Sequence, residues 1–159
     1  MATFTHGKKT RLFLNTAGTA GATPTVANTY NISDYCKEVS FPSQMDTAET
    51  STFGSEVKTY VQGLRNSSFS VSGSFEATTL ILDGTAANGK TLDTIFAEMI
   101  GAAVNPSFAY GPTGSTAGKI KYSGNFLLTS YQITGSVGDL VSFSPEFQVS
   151  GDIARGAFA

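Results

Sequence analysis

The sequence predicts a mainly β domain: a β-sandwich or open barrel of antiparallel strands with one amphipathic α-helix, about residues 91–103, packed on it. Three observations lead there. Apolar and small polar residues alternate with a period of two through residues 67–76 and 139–151, the signature of strands with one buried face. One segment alone carries a helical stripe, and a lone stripe among alternating strands must be laid on a sheet. The composition is also rich in small turn-forming and hydroxyl residues, with 39 Ser and Thr and 17 Gly among 159 residues. Forty per cent of the chain is hydrophobic, enough for a real core and against wholesale disorder. The length fits one domain over 1–159, with no internal repeat and no dividing linker.

Taken in order, residues 1–8 read as an N-terminal arm, and Arg11-Leu12-Phe13-Leu14 as a short apolar strand before the Gly-, Thr- and Ala-rich loop NTAGTAGATP. Strand signals follow at 26–32 and 36–41, with Val39 and Phe41 on one face. In SSFSVSGSFE, Phe69, Val71, Gly73 and Phe75 share one face while Ser68, Ser70, Ser72 and Ser74 share the other. Leu92, Ile95, Phe96, Met99 and Ile100 make the helical stripe. Thr91 is its expected N-cap, Asp93 suits the positive end, and Gly101 with Asn105-Pro106 supplies the stop. KIKYSGNFLLTSYQI (119–133) reads as one long strand or two, with Gly124 a bulge. In DLVSFSPEFQVSG, Val141, Phe143, Phe147 and Val149 face one way, and Ser142, Ser144, Glu146, Gln148 and Ser150 the other. Pro145 on the apolar side marks an edge or a bulge, and 152–159 reads as a C-terminal arm.

Charge and cysteine content exclude several classes. Ten basic against twelve acidic side chains give a net −2, without the surplus of Lys and Arg that a phosphate-neutralising groove needs. Cys36 and His6 stand alone, too few for a Cys/His zinc site or a disulfide framework. Cys36 reads as a small half-buried hydrophobe, not a nucleophile, and His6 as solvated. Asp46 and Glu49 have no fixed separation that would make them a catalytic carboxylate pair. Residues 1–9 lack the apolar run of a secretory signal, and the longest apolar stretch, near Ile95–Val104, is too short to span a bilayer. The expectation is a protein folded in a cytoplasm, with no membrane role and no metal or cofactor.

Two segments demand a choice. Gly84-Thr85-Ala86-Ala87-Asn88-Gly89-Lys90-Thr91 matches G-x-x-x-x-G-K-[ST] between an apolar stretch and a helix, where a P-loop would cradle phosphates. A P-loop enzyme, however, is a parallel sheet of several βαβ units, and this chain has one helix. The blander reading is a loop leading into a capped helix, with nucleotide binding kept as an alternative. DTAETSTFGSEVKTYVQGLRN (46–66) reads as too polar and too long for a hairpin loop. Yet it holds Phe53, Tyr60, Val61 and Leu64, which something outside the sheet must bury. The two serine-lined faces carry a single charge, Glu146, over nine positions. That suits a surface past which something slides without sticking.

Residues 46–76, DTAETSTFGSEVKTYVQGLRNSSFSVSGSFE, resemble the tail tube (major tail) proteins of long-tailed bacteriophages. HGKKTRLFLN (6–15) is similar to the start of that family, and TSYQITGSVGDLVSFSPEFQVSG (129–151) to its later part, in the family's order. The insertion 15–28 and the segment before the helix depart from it. The resemblance implies a non-enzymatic virion protein, assembled in the host bacterial cytoplasm, whose hexameric rings stack into a tube that conducts DNA without binding it specifically. Six subunits at −2 each make −12 per ring. Implied partners are further copies of the chain and the tail tip or baseplate, tape measure and tail terminator proteins. The 46–66 segment would order against adjacent subunits, with Asp46, Glu49, Phe53, Lys58, Tyr60 and Arg65 as contacts. Ser68, Ser70, Ser72, Ser74, Ser142, Ser144, Glu146 and Gln148 would face the lumen. A tail terminator or tube initiator of the same fold is the nearest alternative.

Overall fold

The computed structural model describes residues 7–18, 26–41, 43–54 and 56–159. Among the described residues twelve strands and one α-helix follow one another: β1 (Arg11–Asn15), β2 (Thr29–Asn31), β3 (Cys36–Ser40), β4 (Ser43–Glu49), β5 (Tyr60–Ser74), β6 (Ile81–Leu82), β7 (Gly89–Lys90), α1 (Leu92–Met99), β8 (Ser107–Gly111), β9 (Ile120–Ser130), β10 (Ile133–Thr134), β11 (Ser142–Phe143) and β12 (Glu146–Ala157). All strand pairs are antiparallel. The main sheet runs β10-β11-β5-β12-β9-β8-β1-β2, and β3 and β4 also pair with β5. From β2 the chain passes through a 3-10 turn, Ser33–Tyr35, straight into β3. The two ends of the path β3-β5-β12-β9-β8-β1-β2 are thus joined covalently, and the Leu12 amide donates to Ser33 Oγ at 2.9 Å across the seam. The sheet curls into the expected open barrel.

Period-two alternation decides what the curl encloses. On β5, Phe69, Val71 and Gly73 are buried while Ser68 and Ser70 are exposed. Phe147 of β12 stands opposite Phe69, their rings stacked at 4.3 Å, and Phe126 meets Phe147 edge-on at 4.9 Å. Such aromatic pairs contribute about 0.5–1.5 kcal/mol beyond their buried area. Gly73 is required on this face: a Cβ there would lie 1.9 Å from the Tyr35 carbonyl oxygen.

Helix α1 lays Leu92, Ile95, Phe96 and Met99 on the barrel, with Phe96 against Tyr131, Phe143 and Phe147. Thr91 caps it as expected, Oγ1 accepting from the Thr94 amide at 3.3 Å. The helix is shorter than 91–103. Ile100 already has extended backbone, and its exposed side chain does not continue the stripe. Gly101, at φ +68, sits where the chain turns away.

Two expected appendages are built into sheets instead. The 152–159 segment is not an arm: β12 pairs with β9 as far as Ala157, and the Phe158 amide donates to the Lys119 carbonyl at 2.9 Å. Phe158 is buried edge-on against Phe13, where a Cβ on Gly111 would intrude to 2.7 Å. Nor is 46–66 one long loop. Met45 pairs with Arg65, Thr47 with Gln62 and Glu49 with Tyr60, so β4 and the first half of β5 form a projecting hairpin and only 50–59 connects them. Its alternation is invisible in the sequence because both faces of the hairpin are exposed on this chain, leaving no apolar face to mark the period. Of the expected N-terminal arm, residues 1–6, including His6, lie outside the described residues.

Candidate functional site

The β5 register brings the polar residues of several strands onto one face. Ser68 stands opposite Gln148, Ser70 opposite Glu146, and Ser74 opposite Ser142. On the other edge of β5, Ser70 stands opposite Ser40 and Ser72 opposite Glu38. Cross-strand partners share a side of the sheet, so this is a continuous polar surface. Ser144 joins it beside the Pro145 kink, whose carbonyl accepts from the Val71 amide at 3.3 Å. Gln148 Nε2 donates to Asn66 Oδ1 at 2.7 Å and to the Ser67 carbonyl at 3.0 Å. Thr129 Oγ1 donates to the Glu146 carbonyl at 3.1 Å. Glu38, Ser40 and Thr129 therefore belong to the face although period alone did not select them; they are found only through strand pairing. The charged side chains among these residues, Glu38 and Glu146, are both negative.

The projecting hairpin is the second feature. Phe53 at its tip is fully exposed, and Leu64, Val57, Tyr60, Val61 and Met45 are exposed along it. Glu49 and Lys58 meet each other across its end at 3.5 Å, an exposed pair of the kind that contributes at most about 1 kcal/mol. Asp46 occupies a bulge between Met45 and Thr47, where a Cβ on Gly63 would come within 2.9 Å of its carbonyl oxygen. Arg65 lies near the foot of the hairpin, on a wedge shared with Ile153 and Arg155 of β12. The wedge exists because β12 pairs with β5 only from Glu146 to Gln148, then stays with β9 while β5 continues with β4. Both strands present backbone edges there, which chains normally cover.

The P-loop-like segment is already filled from within. Asp83 Oδ1 accepts from the Thr85 amide (3.2 Å), Thr85 Oγ1 (2.8 Å) and the Ala87 amide (3.2 Å), while Oδ2 accepts from the Asn28 amide at 3.2 Å. Burial alone would raise this carboxyl's pKa; hydrogen bonds from Thr85, Asn28 and Asn88 more than offset it and hold the group well below the usual range. Lys90 lies in β7 opposite Ile81 and is ion-paired to Glu98, which raises its pKa. The amides and the lysine that would hold a phosphate are thus engaged within the chain, and nucleotide binding through 84–91 is withdrawn. Cys36 fits the hydrophobe reading: burial pushes its thiol up to about 12, and Sγ donates to the Ile32 carbonyl at 3.2 Å.

No family model matches the chain, and no curated protein is similar to it in sequence. Solved structures are similar in fold. A chain from the virion of a native gene transfer agent particle matches with a TM-score of 0.69 at 16% identity, over 97% of this chain and 100% of that one. A chain from the tail of an empty gene transfer agent particle, determined with C6 symmetry, gives 0.66 at 16% identity with the same coverage. The SPP1 tail tube gives 0.67 at 11% identity, over 97% of this chain and 80% of that one. The chain has the tail tube protein fold.

Proposed function

We propose that this chain is a structural subunit of a phage-type tail tube, assembling into hexameric rings that stack around a DNA-conducting lumen. The observation that carries the reading is the β4–β5 hairpin. On a tail tube fold, it projects Phe53 and Leu64 into solvent with nothing among the described residues covering them. Stable monomers seldom leave this many large apolar side chains of one element exposed, and the wedge between β5 and β12 offers strand edges for a neighbour to close. Asp46, Glu49, Phe53, Lys58, Tyr60 and Arg65 are assigned to contacts between subunits. The face of Ser68, Ser70, Ser72, Ser74, Ser142, Ser144, Glu146 and Gln148 is assigned to the lumen. Small hydroxyls and like-signed carboxylates give DNA no cation to adhere to. In this role the protein is a virion tail component without catalytic residues or cofactor. It meets tail tip or baseplate, tape measure and terminator proteins at the tube's ends and along its bore.

Negative-stain electron microscopy of the purified protein at high concentration tests this. Hollow tubes with a regular axial repeat are the expected result. Isolated rings that never stack would transfer the assignment to a terminator or initiator of the same fold. A chain that stays monomeric at every concentration, and does not add to preformed tail tips, would overturn it.

A further inference from the structure

The tip of the hairpin has a matching receptacle on the same chain, out of its own reach. At the hairpin's foot a cleft of about 360 Å³ is lined by Phe41, Tyr110, Pro112, Tyr122, Ile153 and Arg155. Its wall is a ladder of rings: Phe41 and Tyr110 stack at 5.5 Å with 5° between planes, and Tyr110 and Tyr122 at 6.3 Å. The Arg155 guanidinium lies 5.3 Å over the Tyr122 ring. Helix α1 closes the core at the far end, against Tyr131 and Phe143, and leaves these half-buried rings open. An aromatic ladder with a cation at its rim suits one more aromatic ring.

Phe53 supplies such a ring. It cannot enter the cleft of its own chain. The cleft lies beside the start of β4, and Phe53 lies beyond its end; seven strand residues at about 3.4 Å each put roughly 20 Å between them. Charge supports the match. At the tip Glu49 is ion-paired with Lys58, so Glu56 is the charge left over. In the cleft, Arg155 has no carboxylate within salt-bridge range among the described residues. Glu56 at the tip and Arg155 at the rim are therefore opposite charges that a contact between copies would pair.

We propose that the hairpin tip of one copy seats Phe53 in the Phe41–Tyr110–Tyr122 cleft of a neighbouring copy, with Glu56 meeting Arg155. Knob and hole are different surfaces of one chain, so the contact is heterologous. In a ring or a stack each copy gives its tip to one neighbour and receives the tip of another, so the contact propagates from copy to copy. The proposal rests on the tube reading and gives it a specific joint.

Cross-linking tests it. In a Cys36→Ser background, Phe53→Cys and Ile153→Cys are made singly, mixed under assembly conditions and oxidised. The expected result is disulfide-linked dimers in the mixture and in neither variant alone, with a ladder of higher multimers from the double variant. Assembled rings or tubes that give no cross-link would overturn the joint and leave the tube reading standing. If Phe53→Cys itself prevents assembly, charge exchange decides. Glu56→Arg and Arg155→Glu should each raise the concentration needed for assembly about tenfold, and together restore it; absence of rescue would overturn the joint. A parent chain that neither assembles nor cross-links at any concentration would overturn both.

Discussion

Truncating Phe53 to Ala should separate folding from assembly, and the size of each effect follows from the side chain's position. The ring is fully exposed on the hairpin tip, so the monomer loses no buried contact. Its stability should stay within about 0.5 kcal/mol of the parent, the usual range for surface substitutions. For a domain of this length that is a Tm change below roughly 2 °C. In the assembly each copy would bury one such ring, and burial of a Phe side chain contributes about 1.5–3 kcal/mol. Every 1.4 kcal/mol is a factor of ten, so the concentration giving half-assembly should rise by one to two orders of magnitude. Melting curves followed by circular dichroism, with a dilution series scored by sedimentation, measure both quantities on one preparation. A melt several degrees lower would show that Phe53 packs within the subunit. Unchanged assembly would show that no neighbour buries the tip; either result refutes the reasoning.

Three further outcomes are expected. Ser72→Lys and Ser144→Lys, on the polar face near Glu38 and Glu146, should leave the melt unchanged yet slow DNA ejection, and ejection at the parent rate would remove this face from the lumen. Gly73→Ala forces a Cβ to 1.9 Å from the Tyr35 carbonyl, whereas Gly156→Ala meets nothing within 4 Å. The first should cost about 1–3 kcal/mol, lowering Tm by roughly 3–10 °C, and the second should leave it level; equal melts would show that the Tyr35 peptide yields freely. Cys36, with its thiol raised from 9.0 to about 12 by burial, should alkylate with iodoacetamide at pH 8 roughly a thousandfold more slowly than in the unfolded chain. Because the folded value lies above the unfolded one, the neutral thiol's contribution to stability is complete below pH 9 and lost as pH rises towards 12. Rapid labelling of the folded protein would contradict the burial.

Both chain segments that sequence reasoning misplaced were misplaced for a common reason. Phe69, Val71, Phe147 and Val149 alternate with polar residues because one side of their strands meets the core, so period two is written in composition. Residues 44–49 and 60–66 bury neither side among the described residues. Their pairing rests on backbone hydrogen bonds, which any residue but proline can make, and leaves no compositional trace. Residues 154–157 hold their place on β9 in the same way, and Phe158 is anchored by Phe13, a residue 145 positions earlier.

The amino-acid sequence by itself determined the fold class, the helix start at Thr91, the inward row of β5 and β12, and the slightly negative net charge. Each of these depends on local period, capping or net charge, quantities that do not need to know which strand lies beside which. Tertiary structure alone decided that Ser70 stands between Glu146 and Ser40, that Asp83 fills the P-loop-like turn, and that an aromatic cleft opens at the hairpin's foot. Those arrangements join residues scattered from 28 to 155, brought together by strand register and the curl of the sheet, and no local pattern encodes them.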